Sequence, residues 1–169
     1  MNNYELSENF FDKMKKFEGL HDGDLTKIGL QPKLCPAGYW TIGYGHCIIT
    51  MNGRCHVNEW SLSRIKELKM DLIDEIEADC LLRKDVKYYV NLVNIHLEVQ
   101  VEQHQFEAIV LFVYNCGISE TLFDMVNTRV SLPILLSWWR TRYVTANGIK
   151  LKGLQMRRLF ESNLFAYGW

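Results

Sequence analysis

No stretch of this 169-residue chain approaches the ~20 consecutive apolar residues needed to cross a bilayer. The N-terminal segment carries Glu5, Glu8 and Asp12 without a long apolar run, so it does not read as a secretory signal. Neither sign of charge dominates, the formal net charge being −1. There is no internal repeat, low-complexity tract or linker, and only 3 prolines. The 5 cysteines are an odd number with no CxxC pair and no Cys/His spacing typical of zinc. That argues against a complete disulfide framework and gives no metal site. What remains, 48% hydrophobic and 23% charged residues, is ordinary globular composition, and the length suits one domain with a real core.

The near-neutral total hides an asymmetry. From residue 125 onward there are seven cations (Arg129, Arg140, Arg142, Lys150, Lys152, Arg157 and Arg158) against the single acid Glu161, a net of +6, while residues 61–85 lean acidic. A basic end suits an anionic polymer or is simply a solvated helix face. No aromatic–basic interleaving accompanies it, which speaks against nucleic acid. Cys80 and Cys116 fall on apolar helix faces and read as core residues.

Hydrophobic spacing predicts the elements. Ser7 caps a helix over residues 8–18, with Phe10, Phe11, Met14 and Phe17 on its buried stripe and Gly19 as its stop. Residues 19–38 read as an irregular loop. A hairpin follows, with one arm over residues 39–49, a turn at Asn52-Gly53 and a return over residues 54–57. Cys47 and Cys55 lie on its opposite arms and can bridge. Ser61 or Ser63 opens a helix to about Leu82, with Ile76 and Cys80 on its apolar side. Further helices are predicted over residues 101–115, 132–139, where Pro133 suits a first turn, and 154–165. A helix, a small antiparallel sheet and then helices make an α+β fold.

The strand over residues 39–46 is unusual. Trp40, Ile42 and Tyr44 alternate with Thr41, Gly43 and Gly45, so one face is cleared of bulk around a lone hydroxyl. Glu18 arrives just before it from a helix C-terminus, where the macrodipole opposes a carboxylate and so suits a general acid. A carboxyl facing a threonine across a groove is an arrangement for breaking a glycosidic bond. Tyr39, Trp40 and Tyr44 offer flat faces for sugar rings or, for the last two, for the core.

Three blocks carry a resemblance: Glu18-Gly19-Leu20 with Cys35-Pro36-Ala37-Gly38 and Trp40-Thr41-Ile42-Gly43-Tyr44-Gly45-His46; Gln105-Phe106-Glu107-Ala108 with Phe112, Asn115 and Gly117; and residues 153–161, Gly-Leu-Gln-Met-Arg-Arg-Leu-Phe-Glu. In this order they resemble the phage-type lysozymes, glycoside hydrolase family twenty-four. The resemblance implies a lysozyme-like fold filling residues 1–169 as a single domain. A small β-hairpin lobe covers about residues 19–60, a larger helical lobe about residues 1–18 and 61–169, and the active-site cleft lies between them. It implies a muramidase that cuts the β-1,4 bond between N-acetylmuramic acid and N-acetylglucosamine in peptidoglycan. The proton donor would be Glu18, with Thr41 orienting water and Cys35 in the second catalytic position. It implies no cofactor, no membrane insertion, a monomer, synthesis in the host cytoplasm and release to the periplasm and cell wall through a separate holin. His46 resembles a structural residue that ties the hairpin to the helix bearing Glu18. Arg157 and Arg158 pair with Glu161 to hold the last helix.

The second catalytic position departs from the family pattern. Aspartate is commoner where Cys35 stands, and sixteen residues separate Glu18 from Cys35 instead of eight, an insertion within residues 21–33. A thiol with the ordinary pKa of ~8.5 is mostly protonated near neutrality and makes a poor base. Asp22 or Asp24 in the insertion can supply a carboxylate instead, though Asp-Gly-Asp is also turn chemistry. With no base at all, the sugar's own hydroxyl can attack, which is lytic transglycosylation. A non-catalytic peptidoglycan-binding protein and an antibacterial effector are the other readings of the same scaffold.

Overall fold

Ser7 begins the first helix as the sequence predicts. Its hydroxyl accepts from the Phe10 amide at 3.2 Å, and α1 runs over Glu8–Glu18. Phe10, Phe11 and Met14 are buried, while Phe17 is half-buried under the Lys13 ammonium. Gly19 ends the helix at φ 68°, a left-handed conformation that costs glycine nothing. A computed structural model describes residues 4–20, 30–35, 38–48, 74–146 and 148–169. The chain forms two compact units, one of residues 13–86 and one of residues 1–12 with 87–169.

The first unit holds a three-stranded antiparallel sheet of β1 (Lys33–Leu34), β2 (Trp40–Ile42) and β3 (His46–Cys47), in that order. Lys33 pairs with Thr41 and Leu34 with Trp40; on the other side Thr41 pairs with Cys47 and Ile42 with His46. This corrects the expected hairpin. The chain reverses at residues 43–45, where Gly43 (φ 59°) and Gly45 (φ 80°) adopt conformations that L side chains avoid. The glycines make the turn that β2 feeds into. The predicted turn at Asn52-Gly53, the return strand over residues 54–57 and the helix start at Ser61 or Ser63 lie outside the described residues. Cys47 is disulfide-bonded, whereas Cys35, Cys80 and Cys116 are free thiols. Cys55, its expected partner, also lies outside the described residues.

The next described helix, α2, covers Glu75–His96 and so continues well past Leu82. Its buried line is Ala78, Leu82, Val86 and Val93, leaving Ile76 73% exposed. Cys80 is exposed as well, a correction to its reading as core. Placing Ile76 and Cys80 on the apolar side missed that Ala78 and Leu82 form the inward row.

In the second unit α3 (Gln103–Cys116) opens with a capping box between Glu102 and Gln105 and stops at Gly117. Residues 106–113 are all buried, more than an amphipathic stripe, so α3 is the helix the others pack around. It is followed by α4 (Glu120–Asn127, capped by Ser119), α5 (Leu132–Thr141), a hairpin of β4 (Thr145–Ala146) and β5 (Ile149–Lys150), and α6 (Lys152–Tyr167). Trp139 is fully buried and donates its indole N–H to Glu161 Oε2 at 3.1 Å. Glu161 Oε1 takes Arg158 Nη2 at 2.6 Å and Arg157 Nε at 3.3 Å. Arg158 also reaches Asn115 Oδ1 at 3.0 Å and stacks over Phe112 at 5.0 Å. These ion pairs join residues one turn apart on α6, as their spacing predicts, and Asn115 and Phe112 extend them to α3.

Candidate active site

Glu18 is the last residue of α1, half-buried, and its carboxyl meets the glycine turn after β2. A β-carbon on Gly45 would stand 3.4 Å from Glu18 Oε2 and 3.7 Å from Glu18 Cβ. The turn backbone at Gly45 therefore lies against the acid, close enough that a β-carbon there would touch it. Thr41 lies at the centre of the sheet and is buried, as are its neighbours Trp40 and Ile42. Its hydroxyl donates to the Lys33 carbonyl at 3.0 Å. With that proton committed, Oγ1 acts toward a water as an acceptor.

Cys35 is a half-buried free thiol one residue past β1. Its amide donates to the Tyr39 carbonyl at 2.9 Å, and the Gly38 amide donates back to its carbonyl at 2.8 Å, closing a tight turn into β2. Since Lys33 is opposite Thr41, strand alternation puts Cys35 on the face that carries Thr41. Diagonal neighbours on one face of an antiparallel pair are about 7–8 Å apart. Asp22 and Asp24, the other candidates for the second position, lie outside the described residues. Tyr39 is exposed on this sheet, whereas Trp40 and Tyr44 belong to the core.

A set of charged residues on α2 braces the turn from behind. His46 Nδ1 and Asp85 Oδ2 are 2.7 Å apart, so His46 ties the sheet to α2 and not to α1, which the sequence reading had as its partner. The Tyr44 hydroxyl bonds Glu75, and burial together with this bond holds the phenol above its usual pKa. Lys15 of α1 pairs with Asp79 at 3.0 Å, and Arg83 Nε with the same carboxylate at 2.5 Å. Burial alone would raise the Asp79 carboxyl, but the bonds from Arg83 and Lys15 outweigh it and hold the group below its usual range. Sequence reasoning missed Glu75, Asp79 and Asp85 as partners; the one available signal was the acidic bias of residues 61–85. Among the described residues no group of His, Cys, Asp and Glu is arranged to hold a metal ion.

A helix-end carboxyl against the glycine turn of a small antiparallel sheet, in a chain whose described residues are mostly helical, defines the lysozyme-like α+β class. The comparisons give the family. The phage lysozyme family model matches residues 15–161. The endolysin of Acyrthosiphon pisum secondary endosymbiont phage 1 is 28% identical, over 95% of this chain and 97% of its own length. The Bacillus phage B103 endolysin is 30% identical over 92% of this chain, which spans only 53% of that relative. The muramidase domain of SpmX from Asticaccaulis excentricus superposes with a TM-score of 0.69 at 27% identity, covering 96% of this chain and 98% of that domain. The chain belongs to the phage lysozyme family, and with it to the lysozyme-type glycoside hydrolases.

Proposed function

We propose that residues 1–169 act as one muramidase domain that hydrolyses the β-1,4 bond between N-acetylmuramic acid and N-acetylglucosamine and so lyses bacteria. Glu18 gives its proton to the bridging oxygen as the bond from the muramic acid C1 breaks. A water hydrogen-bonded to Thr41 Oγ1 then attacks C1 from the other face of the ring. Cys35 lends Sγ as a weak acceptor to the same water. The proton shed by the water passes to solvent, and Glu18 is reprotonated for the next turnover. The protein works as a monomer. Among the described residues no helix is long and apolar enough to cross a membrane, and access to the wall depends on a separate membrane-perforating holin.

The observation that carries this reading is the Glu18 carboxyl against Gly45 in a chain whose residues 15–161 match the phage lysozyme family. The test is clearing of outer-membrane-permeabilised Gram-negative cells by the protein and by Glu18→Gln, with circular dichroism confirming the fold of the variant. Loss of the general acid lowers the rate by about 10²–10⁴-fold. Equal clearing by both proteins removes Glu18 from the mechanism. Binding to several purified walls without release of sugar ends makes this a wall-binding protein instead. The released muramic acid ends are reducing sugars if water attacks; anhydro ends mean that the sugar's own hydroxyl does.

A further inference from the structure

The cations near the C-terminal end are not all on the surface, and that sorting carries an inference independent of the catalytic site. From residue 125 to residue 160 the sequence has no acidic residue. Arg157 and Arg158 are buried around Glu161, and Arg140 is held by Ser162 and Asn163. Arg142 stands exposed just past the end of α5, Lys150 on the β4–β5 hairpin and Lys152 at the start of α6. Aliphatic side chains are exposed among them: Ile149 at 66%, Leu151 at 42% and Met156 at 55%.

The hairpin that presents them is anchored at its base. Tyr143 has φ 56°, a conformation that is an outlier for a bulky residue and persists only where packing enforces it. Its ring sits edge-on against Phe112 at 5.2 Å and Trp138 at 6.2 Å. The Leu151 amide closes the ribbon onto the Val144 carbonyl at 2.9 Å. Thr145 faces Lys150, and Ala146 faces Ile149. Ile149 and Leu151 therefore share one side of the ribbon, with Lys150 on the other.

We propose that this hairpin and the first turns of α6 dock the protein on an anionic phospholipid bilayer, lying in the headgroup layer without spanning it. Lys152 and Met156, one turn apart on α6, pair a cation with an aliphatic tip, as phosphates layer over acyl chains, and the long stem of Lys150 lets its ammonium reach headgroups from the other side of the ribbon while Ile149 goes deeper. A wall glycan asks for different chemistry, namely flat rings and hydrogen-bonding side chains. The ring at the base of the hairpin, Tyr143, is 44% exposed but packs edge-on against Phe112 and Trp138, and the hairpin itself carries no ring among its described residues.

The test is co-sedimentation of the full chain with vesicles of phosphatidylcholine alone and of phosphatidylcholine mixed with phosphatidylglycerol, at low and high salt. Binding is expected only to the mixed vesicles and weakens with salt. Each cation near an anionic surface is worth about fivefold in partitioning, so Lys150→Gln with Lys152→Gln lowers binding roughly 25-fold. Ile149→Ser with Met156→Ser removes the binding that survives high salt. Lys84→Gln with Lys87→Gln, on the exposed side of α2, makes the same change in net charge and leaves binding unaltered. All six positions are exposed, and circular dichroism confirms that the variants fold. Absent binding, equal binding to both vesicle types, or an equal loss in the α2 variant overturns the proposal. So does retention on lipid-free peptidoglycan that the hairpin substitutions abolish while vesicles retain none.

Discussion

Gly45 is where local backbone and chemistry meet most directly. Its φ of 80° disfavours any side chain, and a β-carbon there would touch Glu18 Oε2 at 3.4 Å. Gly45→Ala therefore carries two separable penalties. The left-handed backbone costs about 1–2 kcal/mol of stability, seen as a lower Tm. The methyl also touches the Glu18 carboxyl, so any displacement of the acid reads out as rate: a misplacement on the order of 1 Å costs about 100-fold, seen in wall clearing at a temperature where the variant stays folded. A Tm loss without loss of rate shows that Glu18 is not positioned by this turn. The sequence made the glycines conspicuous but misassigned them to a cleared strand face, because glycine in a strand and glycine in a turn look alike until the register is known. Thr41 has its own signature: Thr41→Ser keeps the hydroxyl that donates to Lys33 and accepts from water, while Thr41→Val keeps only the shape. Serine is expected to retain most activity and valine to lose about 10-fold or more; equal activity of the two dissociates the hydroxyl from catalysis. His46 was legible as structural, but its partner Asp85 lies 39 positions away, and periodicity on one helix does not reveal which acid a distant loop will meet.

Where an element's own signals close its ends, its limits were readable. α1 begins after Ser7 and stops at Gly19, and α3 stops at Gly117, all local backbone chemistry. The eight-residue α4 was not anticipated, though Ser119 caps it, since so short a helix shows little more than two turns of periodicity. The extent of α2 to His96 was missed for a different reason: the exposed Ile76 and Cys80 drew the stripe onto the wrong face. The charged end of α2 has a measurable consequence. Asp79 is held below the ordinary carboxylate pKa of 3.8 by Arg83 and Lys15 against the effect of burial. A folded pKa below the unfolded one means that the stabilisation is full above 3.8 and is lost as the pH falls through the lowered folded value. Asp79→Asn should thus lower stability at neutral pH by on the order of 1 kcal/mol. The gap to wild type should close as urea midpoints are taken into acid below pH 3.8. A gap unchanged by pH attributes the loss to packing and not to the carboxylate.

Across the whole molecule, the two compact units are built on different physics. Residues 13–86 include a sheet of two- and three-residue strands joined by glycine turns and ion pairs, with a disulfide at Cys47. Residues 1–12 with 87–169 are built on α3, where residues 106–113 are buried without interruption, and on the fully buried Arg158–Glu161 pair. Local opening is easiest where few apolar groups must be exposed, and it approaches the global free energy only where a whole core must come apart. Native-state hydrogen exchange should follow that division. The amides of residues 108–113, bonded inside α3 and shielded on every side, are expected to exchange only through global unfolding, typically 5–15 kcal/mol. Those of Ile48 and Cys35, whose bonds to Trp40 and Tyr39 hold the small sheet together, should exchange through local opening, at least about 100-fold faster. Arg158→Met leaves Glu161 buried with less compensation and should cost about 3–5 kcal/mol. That cost should lower the protection of α3 by the same amount while the sheet amides, already governed by local opening, move little. If sheet and α3 amides exchange at one rate and both accelerate equally in Arg158→Met, the chain unfolds as a single cooperative block and the two units are only geometric.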